Sequence, residues 1–189
     1  MARVDLYRNV HKGQRAHLFS LAIELGRADH EDAVNVGALA TRLRAALAEL
    51  HRHAENEERF IHPLLRARAP QVAAMLEREH QDLEPVLAEV EEGLNGIQMA
   101  PGNPFETGVE LYRAWCRMVS AYLAHIDTEE RIGMRALWDT CRDDEIFAVI
   151  RAFVASRTAT ENHGAPTPRP SHRRAVLCTP PHSCHCGCR

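Results

Sequence analysis

Apolar residues recur at steps of three and four from the N-terminus to about residue 155, and no stretch alternates as a strand would. This spacing predicts amphipathic α-helices, each with one apolar stripe. The four long stripes are Val4, Tyr7, His11, Gln14, Leu18, Leu21 and Leu25; Val36, Leu39, Leu43, Ala46, Leu50, His53, Glu57, Ile61 and Leu64; Leu76, His80, Leu83, Leu87, Val90, Leu94 and Ile97; and Leu111, Trp115, Met118, Tyr122, His125, Glu129, Ile132 and Ala136.

Three breaks separate these stripes. The first is Gly26–Asp32 (GRADHED) and the third is Met99–Pro104 (MAPGNP), while the second falls shortly before Pro70, which suits a first helical position. Within the third break, Asn103 with Glu106 three residues later has the form of a capped helix start. Four long helices joined by short loops predict an all-α protein, an up-down-up-down four-helix bundle.

Two prolines lie inside stripes rather than between them. Pro63 follows the second stripe's Glu57 and Ile61, and Pro85 comes one turn after His80. A proline ring clashes with the carbonyl four residues back, so each position predicts a kink.

The last part of the chain divides into a short helix and a tail. A fifth helix is predicted from about Asp143 to Ser156, because its acidic start suits the helix dipole. From residue 158 on, prolines recur and apolar residues are sparse, which predicts a disordered tail over 158–189 beside a bundle domain over 1–157. The tail ends in HSCHCGCR, whose thiols and imidazoles fit either zinc or Cu(I) binding or a flexible end without fixed function.

Composition and charge exclude several classes of protein. The 189 residues carry a formal net charge of -3, which gives no electrostatic case for binding nucleic acid. No apolar run is long enough to span a bilayer, and the N-terminus lacks the apolar core of a secretory signal, so we expect a cytoplasmic protein. Histidine is the unusual count, with twelve in the chain.

Six histidine and glutamate residues lie on the apolar stripes, where burial is costly unless the charge is paired or bound to metal. They are His11, His53, Glu57, His80, His125 and Glu129. A lone His-x-x-x-Glu pair is more often an ordinary surface or core pair. Two such pairs on stripes, with two further histidines, favour a metal site.

Antiparallel packing tests whether these six residues can meet. Residues on neighbouring antiparallel helices lie at equal height when they are equidistant from the turn between them. The midpoint of His11 and His53 is Asp32, that of His53 and His80 is the Arg66–Ala67 junction, and that of His80 and His125 lies between Gly102 and Asn103. All three midpoints fall at predicted turns, so we expect the six side chains to share one layer of the bundle.

Four imidazoles and two carboxylates exceed the needs of a four-coordinate zinc site. They suit two ions of iron, or of manganese, with open positions for a small molecule. Glu57 and Glu129 come from helices that are not consecutive, so they are the natural bridges between the two ions.

The residue pattern resembles a known family, the hemerythrin-like (HHE cation-binding) proteins, over about Val4 to Leu137. The pattern consists of His11, His53-x-x-x-Glu57-Glu58 with Pro63, Glu79-His80, and His125-x-x-x-Glu129-Glu130. The resemblance implies a non-haem di-iron centre. Oxygen-carrying hemerythrins have a second histidine where this chain has Glu84, and His-x-x-x-x-Asp in the fourth helix. The ligand pattern is more similar to that of bacterial di-iron iron–sulfur-cluster repair proteins and of the iron-sensing hemerythrin domain of a ubiquitin ligase.

Other polar residues of these stretches receive different interpretations. Three roles are consistent with the position of Glu84: a metal ligand, a hydrogen-bond partner of an imidazole, or a solvated residue. Gln14, Tyr7 and Tyr122 lie near the site and could hydrogen-bond a bound oxygen species, although core packing explains the tyrosines. The remaining histidines and glutamates of these stretches are expected at the surface. They are His17, His62, the His51–Glu55 pair, Glu58 and Glu130.

Three functions are consistent with this pattern. The first is a binding module that holds dioxygen or nitric oxide, or that senses or holds iron itself. The second is an enzyme that uses the same centre on peroxide or dioxygen, in a catalase-like or iron-centre repair role. The third is a metal-free helical interaction domain. The first two predict a small diatomic or peroxide partner, and none of the three requires nucleic acid or a membrane.

Overall fold

A computed structural model describes residues 3–99 and 103–163, and this part of the chain is helical with no strand, which confirms the predicted fold class. The helices are α1 (Arg8–Arg27), α2 (Ala33–Asn56), α3 (His62–Arg68), α4 (Pro70–Met99), α5 (Pro104–Thr128), α6 (Met134–Thr140) and α7 (Asp143–His163). Two π-helical segments join α2 to α3 and α5 to α6, namely Glu57–Ile61 and Glu129–Gly133. Helix α1 packs against α2 and α5, and α4 packs against α2, α3 and α5, which closes the bundle.

The helix ends follow from local hydrogen bonding. The Asp32 carboxylate accepts bonds from the backbone N–H groups of Val34 and Asn35 at 3.0 and 3.2 Å and caps α2. The Asn103 side chain caps α5 by accepting from the Phe105 N–H at 3.1 Å. Only Ala69 separates α3 from α4. The turns thus lie close to the positions that the equal-height argument requires.

Helix α4 contains Pro85 and continues on both sides of it. One detail differs from the sequence-based expectation at the C-terminal side. Helix α7 runs to His163, well beyond the predicted end at Ser156. Residues 164–189, which include the cysteine-rich end, lie outside the described part of the chain.

Each π-helical segment adds one residue to a helical turn. The backbone N–H of His62 bonds to the Glu57 carbonyl, and that of Met134 bonds to the Glu129 carbonyl, five residues back rather than four. One extra residue rotates everything that follows by about 100° around the helix axis. The second segment contains no proline, so this geometry does not require one.

The rotation corrects the predicted stripes beyond the glutamates. Ile132 was assigned to the apolar stripe, yet it is 45% exposed. The fully buried residues are instead Leu65 after the first segment, and Met134 and Leu137 after the second. After Glu57 the predicted stripe still holds at Ile61 but shifts by one residue from Leu64 to Leu65, and after Glu129 it fails at Ile132.

Two hydrophobic clusters fill the bundle. The larger one spans α1, α2, α4 and α5 and includes Leu18, Leu43, Trp115 and Tyr122. The smaller one includes Tyr7, Leu65, Leu76, Met134 and Ile146, and its members come from the other end of the bundle and from α7. The six polar residues on the stripes lie between the two clusters in sequence on their helices. Among the described residues, no helix is both long and apolar enough to cross a membrane.

Candidate metal centre

The structure brings all six polar stripe residues into one layer. The Nε2 atom of His53 lies 2.9 Å from Oε1 of Glu57, and Nε2 of His11 lies 3.3 Å from Oε2 of Glu129. On the other side, Nε2 of His125 lies 3.4 Å from Oε1 of Glu129, and Nε2 of His80 lies 3.5 Å from Oε2 of Glu57.

These donors form two overlapping groups, and within each group the candidate ligand atoms lie within 4.8 Å of one another. One group is His11, His53, Glu57 and Glu129; the other is Glu57, His80, His125 and Glu129. Both carboxylates belong to both groups, which is the arrangement expected of bridging ligands.

Burial differs across the layer. Glu57, Glu129 and His11 are no more than 2% exposed, whereas the side chains of His53 and His80 are 12% and 20% exposed. The centre is therefore enclosed on most sides, and its more open edge runs along His53 and His80.

Two of the imidazoles are oriented by carboxylates outside the layer. Nδ1 of His11 lies 3.1 Å from Glu130, which also accepts a bond from Arg15 at 2.6 Å. Nδ1 of His125 lies 2.9 Å from Glu79. A carboxylate partner assigns the proton to Nδ1, which leaves the Nε2 lone pair directed at the layer, as metal-binding histidines require.

The carboxylates of the layer have no hydrogen-bond donor. All four oxygens of Glu57 and Glu129 are buried and unpartnered, even though imidazole nitrogens lie at ion-pair distance. The Nε2 atoms of His11 and His53 also face each other at 3.1 Å. Buried carboxylate charges without a hydrogen-bond donor are costly unless a cation is bound. The residues present therefore fit metal ions that prefer imidazole and carboxylate ligands, such as iron or manganese.

The pKa values show how strongly the layer's charges interact. Burial lowers the pKa of His125, but Glu129 and Glu79 outweigh it and raise that pKa to about 9. Burial raises the pKa of Glu57, yet contacts with His11 and His53 hold it well below its ordinary value. The carboxylates thus attract positive charge, which protons supply in the absence of a metal.

Two buried tyrosines flank the layer. Burial, together with Glu129 and Glu57, raises the pKa of Tyr7 well above its ordinary value, and burial with the same carboxylates raises that of Tyr122. Both phenols therefore keep their protons at neutral pH and can act as hydrogen-bond donors. The Tyr122 hydroxyl donates to Oε1 of Gln14 at 3.0 Å.

The assignment of His62 to the surface was wrong. His62 is fully buried; its Nδ1 lies 3.0 Å from Glu58 and its ring stacks on His80 at 5.3 Å between centroids. The first π-helical segment rotates His62 inward, which a strict α-helical period cannot show. His51 and Glu58 are exposed as predicted.

The carboxylates that orient the imidazoles were not found by sequence reasoning. Glu130 was expected to face solvent, but it contacts His11, and Glu79 was given no role although it contacts His125. The sequence did contain a signal, because Glu79 directly precedes His80 and Glu130 directly follows Glu129. Glu84 is exposed, which argues against its service as a ligand.

The fold and the layer together define a helical-bundle protein with a buried histidine and glutamate site suited to cations. The hemerythrin HHE cation-binding domain matches residues 2–137, and the chain belongs to this family. It is also 27% identical over 133 residues to the iron-sulfur cluster repair protein YtfE of Pectobacterium atrosepticum. The aligned part covers 68% of this chain but only 60% of that protein. No solved structure matches the chain.

Proposed function

We propose that the protein is a non-haem di-iron protein whose centre binds or senses a small ligand such as dioxygen or nitric oxide, or iron itself. The observation that carries this proposal is the pair of overlapping groups that share Glu57 and Glu129. In this assignment His11 and His53 hold one ion and His80 and His125 hold the other. Six protein side chains shared by two ions leave coordination positions open. When bound, the irons supply a redox-active centre at which a small molecule can coordinate.

The chain's own residues shape this centre in two ways. Glu130 and Glu79 hold His11 and His125 with their Nε2 atoms toward the layer. The two hydrophobic clusters exclude water along the bundle axis, so access is expected at the more exposed edge beside His53 and His80.

Metal analysis and visible absorption of the air-oxidised protein test the proposal directly. We expect a di-iron stoichiometry and an absorption band that changes when azide is added. Because the same donor set accepts manganese, both metals should be measured. Protein that contains neither metal after expression in metal-replete medium would refute the proposal.

An enzyme that acts on peroxide or dioxygen is the second candidate. The observation that favours it is the similarity to a protein named for iron–sulfur cluster repair. The rate of peroxide consumption, measured for the iron-loaded wild type and for Glu57→Ala, separates the two candidates. A rate that depends on metal and falls in the variant supports the enzyme, whereas no metal-dependent turnover supports the binding module.

A further inference from the structure

The two phenols that flank the layer differ in their hydrogen bonding. The hydroxyl of Tyr122 is satisfied by Gln14, whereas the hydroxyl of Tyr7 is buried and has no partner. Tyr7 itself is 0% exposed, so its hydroxyl does not lie at the protein surface. A buried hydroxyl without a partner is uncommon and unfavourable, and it needs a specific explanation.

Tyr7 packs against the layer of histidine and glutamate residues. Its ring stacks on His11 with 5.4 Å between centroids and a 27° interplanar angle. The carboxylates of Glu129 and Glu57 are close enough to act on the phenol electrostatically. The hydroxyl nevertheless donates to none of their oxygens, which are themselves without donors.

Gly133 lies beside the Tyr7 hydroxyl. It stands four residues after Glu129, and a Cβ atom there would lie 3.6 Å from the Tyr7 hydroxyl and 3.2 Å from a methyl group of Leu76. The corresponding position of the other π-helical segment, four residues after Glu57, is Ile61. The tight contact for a side chain at position 133 is therefore the one with Leu76, and the Tyr7 hydroxyl lies beside this glycine at ordinary contact distance.

We propose that Tyr7 is a ligand-recognising residue, whose hydroxyl donates a hydrogen bond to the small molecule bound at the metal centre. This inference rests on the proposed function and narrows it, because the ligand must present a lone-pair acceptor atom, as azide, peroxide, dioxygen and nitric oxide do. The Gln14 amide nitrogen is also buried without a partner. Gln14 lies next to Tyr122 rather than beside Gly133. Its amide is therefore the alternative hydrogen-bond donor to a bound ligand.

The decisive variant is Tyr7→Phe, which removes one oxygen atom and keeps the ring that stacks on His11. Azide affinity of the iron-loaded, full-length protein is measured by absorption titration alongside iron content. We expect unchanged iron and an affinity reduced by about three- to tenfold, as the loss of one hydrogen bond implies. Tyr122→Phe is the matched control, because its hydroxyl already bonds to Gln14, and its azide affinity should stay within about twofold of wild type.

Thermal unfolding provides a readout that does not depend on the absorption band. The rise in Tm on adding azide to the iron-loaded protein should be smaller in Tyr7→Phe than in wild type. Without metal, Tyr7→Phe should unfold at the same or a higher temperature, because the variant no longer buries an unpartnered hydroxyl.

Three results would overturn the inference. One is equal azide affinity in Tyr7→Phe and wild type, and another is loss of iron from Tyr7→Phe, since the hydroxyl would then act on the metal site. The third is a loss of affinity in Gln14→Leu with none in Tyr7→Phe, which would place the ligand on the opposite side of the layer. A wild type that binds no iron or no azide refutes the proposed function instead.

Discussion

Replacing Glu57 by glutamine should remove most of the bound iron, whereas the same change at the next residue, Glu58, should leave the iron content unchanged. Glu57 is 2% exposed and belongs to both groups of candidate ligands, so its loss affects both ions. An amide is nearly the same size as a carboxylate but carries no charge, so the variant tests the ligand rather than the packing.

Glu58 is the control because it is the same residue type, stands next to Glu57 in the chain and lies outside the layer. Its side chain is 53% exposed and bonds to Arg66 and His62, outside the layer. Iron content per chain, measured on both variants purified in the same way, decides the matter. Equal iron in the two variants would show that the buried carboxylate is not a ligand.

The expected iron loss in Glu57→Gln should also have a spectroscopic counterpart. Any ion that remains would be held by fewer charged ligands, so the azide-sensitive band should weaken by more than the iron content does, and its intensity per iron should fall. A band that keeps its intensity per iron while iron content falls would indicate that the remaining centres are intact. Metal loading would then be impaired rather than coordination, and Glu57 would act at an earlier step.

The layer could be predicted from sequence because an α-helical period holds up to Glu57 and up to Glu129. Before these residues, each of the four long helices repeats at three and four, and three turns fix the relative heights. His11, His53, His80 and His125 therefore meet as the midpoint argument requires. Whether these residues ligate metal is a separate question that the proposed experiments address.

The assumption of a constant α-helical period fails beyond Glu57 and Glu129 for a physical reason. A π-helical turn depends on a backbone hydrogen bond to the fifth residue, and both segments here begin with Glu-Glu-Arg. Hydrophobic periodicity carries no signal for the extra residue, because it assumes a constant rotation per residue. His62 was consequently placed at the surface, although it is fully buried.

The carboxylates that orient the imidazoles were missed for a different reason. Glu79 contacts a histidine of α5, and Glu130 contacts a histidine of α1, so each acts between helices. Such contacts depend on the rotation of two helices about their own axes. Sequence spacing gives the height of a residue along a bundle more securely than it gives that rotation.

Removing the metal should lower the thermal stability of the protein substantially. A ligand that binds only the folded state stabilises it by about 4 kcal/mol when present at a thousand times its dissociation constant. For a domain of this size, that corresponds to a fall in Tm of roughly 10 °C on chelation. The structure indicates why the loss is large, since four carboxylate oxygens and converging imidazole nitrogens are then buried without the cation that they fit.

The variant His125→Ala distinguishes a metal-binding layer from a metal-free helical interaction domain. If the chain is only a helical interaction domain, His125→Ala should leave Tm unchanged or raise it, and chelator should affect neither protein. If the layer holds metal, the wild type should unfold at a higher temperature than the variant before chelation, and chelator should remove most of that difference. The Tm of both proteins is measured with and without chelator. Any change in Tm that chelator causes in both proteins then cancels in the comparison. The difference that remains measures how much folding stability the metal supplies through this histidine.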